Sequence, residues 1–319
     1  YCMDRWYARG ESSLGVFTLS QEDVSANNQG VKYAAKVTVT NNVTPASGDV
    51  YKIAQRIEGQ NLAQLELGRS TAKSFTLSFI VKSSVVGTHS GSFMNSAQNR
   101  SFPFTYTISN PDTWEQKSIT IPGDTAGTWL VTNGIGLEVN FDMGSGSGKR
   151  GNAGGAWLAA RAEGATGAVQ VISSANATWF ISKVQVEVGN VATDFEHRSF
   201  AQELALCQRY YFQHVKGVIA QSVCETAGFL NSSQLFFSIQ CPVSMRTEPT
   251  MAVSSGTNHF RYYHNGGDAY TDSINSLSYS NAGKTILQLY RGSVSGTAGM
   301  TVIIRAGSTD TSLAMSAEL

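Results

Sequence analysis

Alternation of apolar and polar positions dominates this chain. In residues 72–109, Phe75, Leu77, Phe79 and Val81 fall on one side, and Thr76, Ser78 and Lys82 on the other. After a polar Gly/Ser/Asn stretch, Phe102, Phe104, Tyr106 and Ile108 repeat the pattern. A period of two is the signature of a strand with one buried face. The same reading predicts strands over 31–40, 50–57, 113–121, 134–142, 166–172 and 178–188. Turn signals at Pro45-Ala46-Ser47-Gly48 and Pro122-Gly123-Asp124 punctuate them. A single helical turn is expected over 61–65. Eight to ten strands with almost no helix predict an all-β antiparallel sandwich or jelly roll reaching to about residue 196.

The period changes at 197–209. Ser199 followed by Gln202 forms a capping box. Phe200, Leu204, Cys207 and Tyr211 then fall on one helical face. A short linking helix and a strand over 210–215 therefore separate a domain at 1–196 from a second one at 216–319. The second is again β-rich, with strands expected at 217–224, 234–241, 251–254, 258–264, 269–280, 284–291 and 299–305. Asn265-Gly266-Gly267-Asp268 reads as a hairpin turn, because Asn and Gly accept positive φ at little cost. A β domain of this size with modest apolar content has a thin core. Association of copies through an apolar sheet face would supplement it.

Composition narrows the function. The 319 residues carry no formal net charge, and 14% are charged. That argues against bulk affinity for nucleic acid or an anionic membrane, which requires clustered Lys and Arg. No apolar run approaches the roughly 18 residues of a membrane span. The four cysteines, Cys2, Cys207, Cys224 and Cys241, form no C-x-x-C pair and lie at no zinc spacing from histidine. Buried or half-buried thiols are expected. The chain starts abruptly in YCMDRWYARG, inside what reads as a strand or its connection, so further residues are expected upstream.

Several runs carry a resemblance: AKSFTLSF, SAQNRSFPFTYTIS, TWEQKSITIPGDT and NGIGLEVNFDMGSGS, then VQVEVG and ELALCQRYY. Over roughly residues 1–215 the chain resembles virion proteins of tailed bacteriophages, the tail-fibre or appendage proteins. The resemblance implies a carbohydrate-binding-like jelly roll, a β-rich and trimeric distal module, and residence in the virion. It further implies contact with other virion proteins and with host surface polysaccharide. One position departs from the pattern. Ile80 follows Phe79 where related chains are expected to carry an aromatic residue, so a sugar platform at that place would be lost.

Catalytic chemistry finds little support in the residues. Glycoside cleavage needs two carboxylates flanking the bond. Nothing in the sequence pairs any two of Glu58, Glu66, Glu138, Asp142 and Glu163, which read as solvated surface groups. No G-x-S-x-G elbow is present. The Gly-rich run 144–155 lacks the G-K-[ST] of a phosphate loop, because Arg150 follows Lys149, and it reads as a flexible surface loop. His259 and His264 bracket a strand, yet a spacing of five places them on opposite faces. No catalytic, cofactor or metal residue is assigned. Asp194 or Glu58 would be the oxygen ligands of a structural calcium site.

Stacking of a sugar on an exposed ring is the stronger chemistry. Trp129 and Trp157, beside glycine-rich loops, are the candidate rings, with Arg150 and Asn152 as polar contacts. In the second domain Tyr262 and Tyr263, with Phe260 and Tyr270, form the candidate patch. The expectation is a non-enzymatic tail-fibre or appendage adhesin that contacts host glycan. A head fibre or capsid decoration protein and a glycan depolymerase are the alternatives.

Overall fold

A computed structural model describes residues 6–11, 14–27, 30–264, 267–276 and 284–318. The chain divides after His197 into two compact units. In the first the strands are β1 (Trp6–Gly10), β2 (Val16–Asp23), β3 (Tyr33–Asn41), β4 (Tyr51–Glu58), β5 (Phe75–Ser83), β6 (Gly87–Met94), β7 (Ser101–Ile108), β8 (Glu115–Ile121), β9 (Ile135–Asp142) and β10 (Thr178–Val188). They form two five-stranded sheets, ordered β1-β4-β9-β6-β7 and β2-β3-β10-β5-β8. Each pairing is antiparallel. The result is an all-β jelly-roll sandwich.

The alternation on β5 explains the core. Phe75, Leu77, Phe79 and Val81 face inward, and all are buried. Phe79 meets Phe141 of β9 and Tyr106 of β7 edge to face, with each centroid 5.2 Å away. Trp179 of β10 packs on Phe141, and its indole N–H donates to the Tyr106 hydroxyl at 3.1 Å. Burying such rings stabilises the sandwich by about 1.5–3 kcal/mol each. The turn expected over 61–65 is a 3-10 turn, Gly59–Leu65, that buries Leu62 and Leu65.

Three expectations are corrected here. The polar stretch between the two opening strands holds a third, β6, paired to β7 and β9. Its alternation is real but is written in small and polar residues. His89, Gly91 and Phe93 face Tyr106, Phe141 and Val139, while Ser90 and Ser92 lie opposite Asp142 and Asn140. Gly91 is required, because a Cβ there would strike the Asn140 carbonyl oxygen and the Phe104 ring.

The second correction is the glycine-rich run 144–155, which is anchored rather than free. One Asp142 oxygen accepts from the backbone N–H of Gly144 and Ser145, at 2.9 and 2.6 Å. The other accepts from Arg150 Nε at 2.9 Å. The third is 166–172, which forms no strand but ends in a 3-10 turn, Val171–Ser173. The Arg150 guanidinium takes the carbonyls of Ala168 and Val169 that a neighbouring strand would use. Residues 158–169 instead run as a strap on the outer side of the first sheet. Ser92 Oγ donates to Ala162, Ser101 Oγ donates to Ala160, and Val169 N donates to Thr88.

The second unit opens with α1 (Phe200–Gln208). Both halves of the Ser199/Gln202 capping box are formed. The strands that follow are β11 (Tyr211–Lys216), β12 (Ser222–Asn231), β13 (Gln234–Gln240), β14 (Thr250–Val253), β15 (Phe260–His264), β16 (Gly267–Thr271), β17 (Asn275–Ser276), β18 (Ile286–Gly292), β19 (Thr301–Ala306) and β20 (Ser312–Ser316). They make a three-stranded sheet, β11-β20-β14, and a seven-stranded one, β16-β15-β19-β12-β13-β18-β17. A core of its own includes Phe229, Ile239, Phe260, Leu289, Ile304 and Met315.

Sequence expectation and structure differ in detail here too. The strand expected at 217–224 begins at Ser222, and β20 was not anticipated. The hairpin pairs His264 with Gly267; its turn residues Asn265 and Gly266 lie outside the described residues. Among the described residues the apolar face expected for α1 is largely exposed, with Cys207 half-buried. Phe200 is 81% exposed, and Leu204 and Tyr211 are also exposed. Cys241 is buried and Cys207 and Cys224 are half-buried; Cys2 lies outside the described residues.

Candidate functional site

The candidates read from sequence separate into different environments. Trp129 and Trp157 do come together, edge to face, with centroids 5.4 Å apart. Trp157 also packs on Phe102, and both indoles lie against the core. Their N–H groups are committed, Trp129 to Ala126 O at 3.1 Å and Trp157 to Pro122 O at 2.7 Å. Arg150 is no ligand contact. Its side chain is 7% exposed, and its donors are taken by Asp142, Ala168 and Val169. Asn152 caps its own turn by accepting from Gly154 N. Tyr262 belongs to the second core, and its hydroxyl accepts from Ser295 N. Tyr263, its neighbour on β15, points the other way and is exposed.

The carboxylates expected at the surface are mostly inside. Glu58, Glu138, Asp142 and Glu163 are all buried. Lys52 explains two of them. Its ammonium lies 2.6 Å from Glu138 and 2.8 Å from Glu163. The Tyr7 hydroxyl donates to Glu138 at 2.6 Å, Arg56 lies 3.3 Å from it, and Arg161 pairs with Glu163. Burial alone would push the Glu138 carboxyl up. The Lys52 charge and hydrogen bond, with Tyr7 and Arg56, outweigh it and hold the group below its usual range. The same burial and the adjacent carboxylate push the Tyr7 phenol up. No single spacing rule pairs these residues, because strands β4 and β9 and the strap bring them together from far apart in sequence. The readable signal is Lys52 itself, a charge placed in an otherwise apolar strand, VYKIAQRI.

A cleft of about 320 Å³ opens on the outer side of the second sheet. Ile80 of β5 lines it, opposite Gln116 of β8 and Ser182 of β10. Two rings flank it, Trp114 and Phe195, with Lys183 and Asp194 as charged groups. Local structure sets each of them. Glu115 accepts from Ser109 N and Asn110 N, which closes the loop that presents Trp114. Lys82 lies 5.4 Å from the Trp114 ring centroid and holds it from one side.

A bulge between Ser182 and Gln185, with Lys183 at φ +51°, lifts Lys183 out of the ladder. After β10 the chain returns over the sheet. Glu187 accepts from Thr193 N and Thr193 Oγ1, at 2.9 and 2.6 Å, and Gln185 accepts from Glu196 N at 2.9 Å. The Thr193 hydroxyl and N–H hold the Glu187 carboxyl below its usual range.

Among the described residues, the side chains of Gln116, Lys183 and Asp194 make no hydrogen bond or ion pair, so donors and acceptors both face the cleft uncommitted. A pocket with two rings and a few free polar groups suits a ligand with an apolar face and a hydroxylated rim. Sequence reasoning stopped at Ile80 and missed this. The position without its aromatic is on β5, whereas Trp114 arrives from the loop before the neighbouring strand β8.

Metal chemistry has no comparable geometry. His259 bonds Ser254 Oγ, whereas His264 stacks on Tyr262. Glu58 is buried on a strand of the first sheet and Asp194 lines the cleft on the second. Among the described residues no group of three His, Cys, Asp or Glu is placed to hold an ion.

No family model matches the chain, and no curated protein matches it. Solved structures similar to part of it include carbohydrate-binding modules, a bacteriophage tailspike domain and an exo-beta-agarase, all at low identity. The enzymatically active domain of tailspike protein 4 of bacteriophage CBA120 is 13% identical over 58% of this chain, with a TM-score of 0.33. The match spans 19% of that tailspike domain's own length. A CBM4 structure is 14% identical over 58% of this chain and 88% of its own, with a TM-score of 0.33. The family 11 carbohydrate-binding module of the Clostridium thermocellum cellulase Lic26A-Cel5E is 10% identical over 60% of this chain and 91% of its own, with a TM-score of 0.31.

Proposed function

We propose that this chain is a non-enzymatic bacteriophage virion protein, of the tail-fibre or appendage kind, whose first unit binds host surface glycan. The observation that carries the binding reading is the cleft beside Ile80. It combines the Trp114 and Phe195 rings with the uncommitted side chains of Gln116, Lys183 and Asp194. A pyranose ring would lay its apolar face on the indole. Its hydroxyls would exchange hydrogen bonds with the amide, the ammonium and the carboxylate. The phage reading draws on the sequence runs at 72–143 and on VQVEVG and ELALCQRYY.

Binding without turnover agrees with the state of the carboxylates. Glu138 and Glu163 are neutralised by Lys52, Arg56 and Arg161 and shielded from solvent. A general acid or nucleophile must reach the scissile bond. Adhesion would then come from several weak sites on one particle, multiplied by association of copies. The exposed Phe200 and Leu204 of α1 offer an apolar face for that association into a homotrimer.

The test uses the purified full chain on an array of host surface polysaccharides, with sedimentation run in parallel. Trp114→Ala should weaken retention of the bound glycan by about tenfold or more, and the polymer should keep its length through the incubation. Undiminished binding by Trp114→Ala would place the site elsewhere. Shortened polymer would make the chain a depolymerase, and a monomer at all concentrations would remove the avidity.

A further inference from the structure

The second unit carries a surface of a different kind on β15, β16 and β19. Phe260 and Tyr262 of β15 turn into the core, so Arg261 and Tyr263 face outward. Register places Arg261 directly opposite Arg305 of β19 on one side and Tyr270 of β16 on the other. Tyr263 lies opposite Ile303 and Asp268 in the same way. Directly opposed residues of an antiparallel pair share one face. Arg261, Tyr263, Asp268, Ile303 and Arg305 line a cleft of about 350 Å³.

Two guanidinium groups set opposite each other on neighbouring strands oppose folding. A purely structural face would neutralise both. Among the described residues a single acid pairs with either of them. Asp268 lies 3.1 Å from Arg261 Nη1, whereas the Arg305 side chain makes no hydrogen bond or ion pair among the described residues. The Arg261 Nε–H is shielded from solvent and also has no acceptor. One positive charge and several N–H donors are therefore left over at the floor of a cleft. Tyr263, 51% exposed, lines it, and Tyr270, 46% exposed, lies on the same face opposite Arg261. Guanidinium forks fit planar or tetrahedral anionic groups, and a tyrosine ring beside them fits the apolar face of a sugar.

We infer that this face is a binding site for an anionic sugar unit of an acidic polysaccharide, with Arg261 and Arg305 holding its carboxylate or sulfate and Tyr263 and Tyr270 its ring. The site lies wholly in the second unit. It does not depend on the cleft beside Ile80, whose groups are Trp114, Gln116, Lys183 and Asp194.

The full chain would be run in affinity electrophoresis through gels containing polygalacturonate, dextran sulfate or neutral dextran. The two polyanions separate a carboxylate preference from a sulfate preference, and dextran reports charge-independent binding. Retention by one or both polyanions but not by dextran is expected, and it should weaken as NaCl is raised. Arg305→Gln should reduce that retention by about tenfold. Arg305→Lys, which keeps the charge without the fork, should fall between the two. Because the substitution relieves repulsion, Arg305→Gln should melt no lower than the parent, whereas loss of a structural residue would lower its melting temperature. Trp114→Ala should bind the polyanions as the parent does, so the two sites fail separately. The inference is overturned if neither polyanion retains the chain, or if dextran retains it equally. It is also overturned if Arg305→Gln binds unchanged, or if poly-L-glutamate competes as well as the sugars, which would point to an acidic protein partner.

Discussion

The Lys52 ammonium lies 2.8 Å from a Glu163 carboxylate oxygen, and neither side chain has exposed surface. Lys52 stands on β4, and Glu163 stands in the strap, 111 residues later. This pair, with Glu138 on the other side of the ammonium, fastens the strap to the first sheet. Removing one partner strands a charge where water cannot reach it. Lys52→Met should therefore cost about 3–5 kcal/mol, read as a fall in the urea midpoint at pH 7. A variant with an unchanged midpoint would show that water reaches the cluster.

The same cluster sets an acid limit. The Glu138 carboxyl titrates below its ordinary value of 4.5: burial opposes ionisation, but Lys52, Tyr7 and Arg56 prevail. A carboxyl depressed in the folded state binds fewer protons there than in the unfolded chain. Its contribution is present above the unfolded value and is lost as pH falls through the lower, folded one. Urea unfolding of the parent and Glu138→Gln should differ most near neutral pH. The gap should be constant down to about pH 5 and close below about pH 4. A gap that widened on acidification would reverse the sign and refute the assignment.

The core was legible because its residues obey one rule. Phe75 through Val81 alternate, and the structure buries the expected four. The buried polar layer was not legible, because it obeys the rule in the wrong alphabet. Ser90, Ser92, Asn140 and Asp142 alternate as regularly as any hydrophobic strand; Ser90 donates to Asp142 and Asn140 to Ser92, and Ser92 in turn donates to Ala162 of the strap. Arg150, Gly144 and Ser145 lie within eight residues of Asp142, yet no residue pattern announces that the run folds back to surround its carboxylate. The cleft beside Ile80 was half legible. The missing aromatic could be seen on β5, but its substitute comes from the loop before β8, and only the sheet register brings them together.

Gly146 tests whether the glycine-rich run is anchored. A Cβ on this residue would collide with the Ala46 carbonyl oxygen and the Ser47 backbone, neither of which is a flexible side chain. Gly146→Ala should destabilise the first unit by about 1–3 kcal/mol, measured by urea unfolding. Gly155, though at positive φ, has open space around its Cβ position. Gly155→Ala should show only the backbone cost, about 1 kcal/mol. Equal effects at both positions would mean that the run has no fixed packing against residues 46 and 47.

The two tryptophan environments make opposite predictions. Trp157 rests on Phe102 and Trp129, and its N–H donates to Pro122 O. It ties the 151–158 segment to the loop that starts at Pro122. Truncating a ring half-buried in this way removes packing and leaves a carbonyl without its donor. Trp157→Ala should lower stability by about 2 kcal/mol while the glycan retained by the parent is still retained. Trp114 stands at the rim of a cleft, outside the buried core. Trp114→Ala should leave the urea midpoint within about 1 kcal/mol of the parent and abolish most glycan retention. Measuring both quantities on both variants decides the matter. If Trp157→Ala loses glycan at full stability, the binding ring is the Trp129–Trp157 pair and the cleft beside Ile80 is not the site.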